Sequence, residues 1–417
     1  MGVKAGSAKG LFQAYGLEME YMLVDAGTLD VAPIADEVLC REAGKLSNEV
    51  EKGIMAWSNE LALHVIEIKN SGPVEEMAGL VAKFQEQVAS IRLQAAHFGA
   101  SLLPSAMHPW MDPHRETKLW PHGNRDIYNT YDRIFNCQGH GWSNVQSTHL
   151  NLGFASDEEF GRLHAAIRLL LPIMPAIAAS SPIVAGQVTG LLDTRLSYYR
   201  VNQRPVPSIT GLVIPEQVFS EAEYEREIYG RISADIAPLD PDGILEALWL
   251  NSRGAIARFD RNAIEIRVLD IQECPLADVT VALFISAVLK RLVEERWNSW
   301  TEQKKAQVPP LADLFEKVIV SGEETVIESA DYLRFFGIHE AGRITVGELW
   351  QELASACGQE LAQAGTEIEG AVDSILGHGP LARRILKAAG PVPSGERLKE
   401  VYRELAGCLA QGRLFLP

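Results

Sequence analysis

The residues best able to do chemistry in this 417-residue chain are acids placed inside strand-like sequence. In Gly16-Leu17-Glu18-Met19-Glu20-Tyr21 two glutamates stand at i and i+2, so an extended strand sends both from one face about 7 Å apart. Glutamate is depleted in strands, and adjacent like charges repel unless solvent or a shared cation takes them up. Glu67 recurs among β-branched residues in Val65-Ile66-Glu67-Ile68, with Glu60 upstream of it. Their odd spacing puts Glu60 and Glu67 on opposite faces of one regular strand, so a shared site needs a bend or bulge between them. Glu265, in Ile264-Glu265-Ile266-Arg267-Val268, shares a face with Arg267. His149, in Thr148-His149-Leu150-Asn151-Leu152, shares one with Asn151.

Each feature alone has a plain explanation. An exposed strand face accounts for Glu18 and Glu20, an internal ion pair for Glu265 and Arg267, and a hydrogen-bonded core residue for His149. Together they put an acid or a histidine in four separate strands, where burial of an unpaired carboxylate costs several kcal/mol. Divalent cations remove that cost. Oxygen-rich ligation with one imidazole suits Mg²⁺ or Mn²⁺ better than zinc or copper. Such a cage fits an enzyme handling nucleotide phosphates, where metal ions neutralise the transferring phosphoryl group. Arg195 and Arg200, in Asp193–Arg200, and Arg258 and Arg267 offer planar forks for phosphate or carboxylate oxygens. Taken singly, each arginine reads as a surface or salt-bridge residue. No Walker A, G-x-G-x-x-G or G-x-S-x-G pattern is present.

The elements needed to position these groups follow from apolar periodicity. Strands are expected at Tyr15–Val24, Leu61–Ile68, Ser101–His108 and Asn144–Phe154, with a hairpin formed by Ala255–Phe259 and Ala263–Asp270 around Asp260-Arg261-Asn262. Helices are expected from Pro73 to about His97, over Asn124–Phe135, from Ser156-Asp157 to about Ala178, over Glu221–Ile232 and over Leu276–Trp297. From about Pro309 to Pro417 the pattern is almost wholly helical. This predicts an α+β catalytic domain at 1–302 and a helical C-terminal region at 303–417 packed on it, with the boundary near Gln303–Pro310.

Composition narrows the partners. Lys plus Arg total 38 against 55 Asp plus Glu, a net charge of −17, the wrong balance for a nucleic-acid or anionic-membrane binder. Five scattered cysteines with no C-x-x-C pair argue against a disulfide framework or zinc ribbon. Met1–Gly6 contains no apolar signal core, and Gly6 spoils a myristoylation match. The longest apolar stretches run about eleven residues, below the roughly 18 of a membrane span. A cytoplasmic protein acting on small molecules is expected; a homo-oligomer is left open.

The ordered motifs resemble the glutamate–cysteine ligase family, specifically its second type, the carboxylate–amine ligases of the glutamine-synthetase-like superfamily. The resemblance rests on Gly16–Tyr21, on Glu60 to Ile68, on Thr148-His149-Leu150-Asn151, on Ala179-Ser180-Ser181-Pro182 and on Glu265-Ile266-Arg267-Val268-Leu269-Asp270, and it spans about residues 11–300. It implies an antiparallel sheet forming a funnel, with ATP entering one side and an amino-acid substrate the other. Glu18, Glu20, Glu60, Glu67, His149 and Glu265 fall on metal-ligand positions of the family. Arg267 falls on an arginine contacting phosphate and the phosphorylated intermediate, and Arg200 on a binder of substrate carboxylate or phosphate. The reaction implied is attack of a γ-carboxylate on the γ-phosphate of ATP, then displacement of phosphate by an amine such as cysteine's. A phosphotransferase of the guanidino-kinase type and a non-catalytic metal- or nucleotide-binding homologue stand as alternatives.

Overall fold

The alternation along Tyr15–Asp25 (β1) makes it the central strand of an eight-stranded antiparallel sheet, seen in a computed structural model that describes residues 9–339 and 343–417. The Met1–Gly6 segment lies outside the described residues. The other strands are Glu49–Lys52 (β2), Met55–Asn59 (β3), Val65–Asn70 (β4), Ala100–Leu103 (β5), Ser147–Gly153 (β6), Ala255–Arg258 (β7) and Ala263–Asp270 (β8). Their order is β2-β3-β4-β1-β6-β8-β7, with β5 pairing the end of β1.

The side-chain period of two sorts the sheet into an apolar face and a polar face. Leu17, Met19, Tyr21 and Leu23 of β1, Ile66 and Ile68 of β4, Leu150 and Leu152 of β6, and Ile264 and Ile266 of β8 all enter one hydrophobic core. The helices Leu80–Ala96, Asp157–Leu170 and Pro275–Val293 add Phe84, Val88, Leu163, Ile167, Val281 and Ile285 to it. The same core continues into Phe315, Val318, Trp350 and Ile375 of the C-terminal helices. Polar tips seal that junction: Tyr332 donates to the Leu169 carbonyl at 2.7 Å and Trp350 Nε1 to that of Ile173 at 2.9 Å. The last two helices, Leu381–Ala389 and Gly395–Gln411, build a second core with Met22, Val24 and Leu103.

Several elements differ from the sequence expectation. The strand expected over Leu61–Ile68 begins only at Val65, and the chain before it forms an additional hairpin, β2 and β3. The helix expected from Pro73 begins at Leu80, because Tyr15 and Val74 first exchange backbone hydrogen bonds as an isolated bridge. The helix expected to reach Ala178 breaks at Leu170 into a 3₁₀ turn, Leu171–Ile173, and a short helix, Pro175–Ala178. Pro172 and Pro175 lack the backbone donors that would continue it. Among the described residues no helix is long and apolar enough to cross a membrane.

Candidate active site

The polar face of the sheet gathers the strand acids through register. Glu18 pairs with His149 and Glu20 with Glu67, while Glu265 pairs with Asn151. Ser58 of β3 pairs with Glu67, and Glu60 follows it by two positions at the end of that strand, which removes the parity conflict. Glu60 immediately follows β3 and Glu67 lies on the neighbouring β4, so the expected single strand with a bulge between them is not what brings them together.

At the centre, His149 Nδ1 lies 3.2 Å from Glu18 Oε2 and 3.7 Å from Glu265 Oε1, while Nε2 lies 3.9 Å from Glu20 Oε1. Asn151 donates to Glu18 at 3.1 Å, and the Ser147 amide and hydroxyl donate to Glu20 Oε2 at 2.7 and 3.0 Å. Ser58 and Lys69 donate to Glu67 Oε1 at 2.7 and 3.0 Å. Arg258 Nη1 donates to Glu265 Oε2 at 3.3 Å, while Arg267 Nε lies 3.1 Å from Glu265 Oε1 without hydrogen-bond alignment.

Burial works against ionisation throughout this face, and neighbours decide the outcome. Burial and repulsion from Glu67 push Glu20 up against the pull of His149. Burial, Glu67 and Glu20 push Glu60 well up. Burial would also raise Glu18, but the hydrogen bond from His149 holds it below the usual carboxylate range. Glu265 is held down, against burial, by Arg267, His149 and Arg258. Burial favours a neutral His149, yet Glu18, Glu20 and Glu265 raise its pKa despite Arg267.

Two triads each bring one ligand atom per residue within 4.8 Å of the others: Glu18, His149 and Glu265, and Glu20, Glu67 and His149. Carboxylate oxygens with a single imidazole match the donor preference of Mg²⁺ or Mn²⁺. Glu18, Glu20, Glu60, Glu67 and Glu265 bring five carboxylates to this face against Lys69, Arg258 and Arg267, the kind of acid excess that such ions neutralise. Glu60 belongs to neither triad but lines the adjoining cavity with Glu20, His149, Arg195 and Arg267.

The cavity's other wall is aromatic: Tyr128 and Tyr131 of the helix Arg125–Phe135, with Trp142, Tyr199 and Trp249. Two of the tips are engaged by the protein, Tyr131 donating to the Trp249 carbonyl at 3.1 Å and Tyr199 to that of Arg253 at 3.3 Å. These rings were not singled out from the sequence; the i, i+3 spacing of Tyr128 and Tyr131 marks one helix face but not what it covers. Asn151 was expected beside His149; Ser147 and Lys69 were not singled out, although a spacing of two from His149 and Glu67 marks them. Arg195 is buried in an ion pair with Asp270. Arg200 is not among the residues lining the cavity and pairs with Glu316 of the helix Val308–Ser321.

Residues 14–404 match glutamate–cysteine ligase family 2. An "Uncharacterized protein" of Archaeoglobus fulgidus is 40% identical over 280 residues, covering 67% of this chain and 75% of its own. A "Putative glutamate--cysteine ligase 2" of Jannaschia sp. is 24% identical over 332 residues, covering 75% and 79%. Among solved structures, glutamate–cysteine ligase of Francisella tularensis in complex with AMP superposes with a TM-score of 0.62 at 12% identity, covering 97% of this chain and 90% of that one. A bifunctional glutathione synthetase of Pasteurella multocida gives 0.60 at 12% identity, covering 96% of this chain and 53% of that one. Such low identities speak for the shared fold alone, whereas the family match spans nearly the whole chain. The chain belongs to glutamate–cysteine ligase family 2 and is a ligase of that type.

Proposed function

We propose that this ligase uses ATP to activate a carboxylate, the γ-carboxylate of a glutamyl donor, as an acyl phosphate and joins it to an amine such as that of cysteine. The observation that carries this reading is the convergence of Glu18, Glu20, Glu67 and Glu265 on His149, with Arg267 beside them. The name of the Francisella neighbour, a glutamate–cysteine ligase in complex with AMP, supports a nucleotide substrate.

In this reading Glu18, Glu265 and His149 would hold one divalent cation and Glu20 and Glu67 a second, with Glu60 at the margin, since a neutral imidazole offers its lone pair to only one of them. Bound there, Mg²⁺ or Mn²⁺ screens the repulsion between the anionic donor and the triphosphate. Arg267 faces the cavity from the strand that bears Glu265 and stabilises charge as the phosphoryl group moves. Arg258 shares the charge of Glu265 and keeps it ionised at the sheet edge. The aromatic wall excludes water, which protects an acyl phosphate until the amine arrives.

Incubation with ATP, Mg²⁺, candidate donors and amines tests the reading by product analysis. One ADP, one phosphate and one amide per turnover is expected, lost on chelation. A stable phosphorylated product would mark a phosphotransferase. Metal binding without nucleotide turnover across the panel would mark a non-catalytic homologue.

A further inference from the structure

Arg267 does not sit on a regular stretch of strand. Ile266 pairs with Leu150 and Leu269 with Thr148, so two residues of β8, Arg267 and Val268, stand against the single residue His149. That is a β-bulge, a device that re-aims one side chain. On its other side the Arg267 amide donates to the Gly254 carbonyl at 2.9 Å, carrying the β7–β8 register one residue past Ala255, and the site is packed so closely that a Cβ on Gly254 would meet Val268 Cγ1 at 2.7 Å.

Behind the bulge lies a buried clamp. Asp270 Oδ2 accepts from the Ser180 amide and the Ser181 hydroxyl, both at 2.8 Å, and Oδ1 accepts from Arg195 Nε. The Arg195 amide donates to Ser181 Oγ at 3.1 Å, and its Nη1 and Nη2 reach the Arg267 carbonyl at 3.4 and 3.5 Å. Arg195 and Asp270 are 2% and 1% exposed, so the pair is solvent-excluded and its geometry is enforced. Arg195 lies on the helix Thr194–Tyr199, and Tyr199, four positions on along the same face, lines the cavity with Arg267.

We propose that Arg195 and Asp270 are positioning residues: their ion pair locks the bulge and the helix Thr194–Tyr199 together, and so aims Arg267 at the reacting phosphoryl group. The proposal rests on the reading of Arg267 given above. Although Arg195 borders the cavity, its Nε is engaged by Asp270 and its Nη1 and Nη2 lie nearest the Arg267 carbonyl, so its role is assigned through Arg267.

The test is the double variant R195Q/D270N, which removes both charges of the pair together, studied alone and combined with R267K. In the R195Q/D270N variant kcat is expected to fall about 10- to 100-fold with KM for ATP within about twofold of the parent. In an R267K background the same change is expected to cost less than about threefold, because the clamp acts through the arginine already altered. Full additivity, or a KM for ATP rising in step with the loss of kcat/KM, overturns the proposal in favour of direct contact. A crystal structure of R195Q/D270N gives a readout independent of turnover. A displaced Arg267 guanidinium is expected, and an unchanged bulge and side chain overturn the proposal even if the parent shows no ligase activity. Parent enzyme that makes no amide overturns the ligase reading instead.

Discussion

Glu20 on β1 lies directly opposite Glu67 on β4, two buried carboxylates paired in register on adjacent strands. Glu20 leans on the Ser147 amide and hydroxyl, and Glu67 on Ser58 and Lys69, so each is satisfied without relieving their mutual repulsion. A cation between them would. Mn²⁺ or Mg²⁺ at a hundredfold excess over Kd is expected to add about 2.7 kcal/mol to stability, read as a rise in Tm that EDTA reverses. E20Q/E67Q is expected to melt higher than the parent in EDTA and to lose most of the rise with metal.

Arg267 is the arginine that shares its face with Glu265 and lines the cavity. R267K keeps the charge but loses the planar fork. Its kcat for ADP release is expected to fall about 100-fold, with the far-UV spectrum and Tm close to the parent's.

Gly254 has no room for a side chain: a Cβ would meet Val268 Cγ1 at 2.7 Å, Leu171 Cδ2 at 2.8 Å and Val213 Cγ1 at 3.0 Å. G254A therefore overpacks the wall behind the bulge and is expected to cost about 1–3 kcal/mol in urea unfolding. An unchanged midpoint would show that these apolar neighbours yield freely.

Three histidines away from the carboxylate face carry a pH dependence of their own. Burial pushes His64 and His164 down to about 3 and His108 to about 4. Their folded pKa values lie below the unfolded value of about 6.5, so the unfolded chain takes up protons first as pH falls. Stability is therefore intact above about pH 6.5 and is lost progressively below it. Each group contributes a loss of about 2 kcal/mol by pH 5. H164F keeps the ring stacked on Phe160 and removes the titration. Its stability loss between pH 7 and pH 5 is expected to be about 2 kcal/mol smaller than the parent's.

The polar face was legible because its signal is local: a period of two places Glu18 with Glu20, Glu265 with Arg267 and His149 with Asn151 whatever the tertiary arrangement. Register between strands is not local. Glu60 and Glu67 read as a conflict because one strand was expected where the chain makes two, and the hairpin β2–β3 is held by packing of Trp57 and Met55 into the core. The aromatic wall was invisible for the same reason. Tyr128, Trp142, Tyr199 and Trp249 come from separate segments that only the fold brings together. Arg195 and Arg200 looked equivalent in sequence. One is buried against Asp270, and the other points to Glu316 on a helix more than a hundred residues away.

The central claim is transfer of phosphate to the donor carboxylate before amide formation. Turnover with a donor carboxylate labelled with oxygen-18 tests it directly, by mass spectrometry of the released phosphate. The account predicts one labelled oxygen in each phosphate for every amide formed; amide formed with unlabelled phosphate would contradict it.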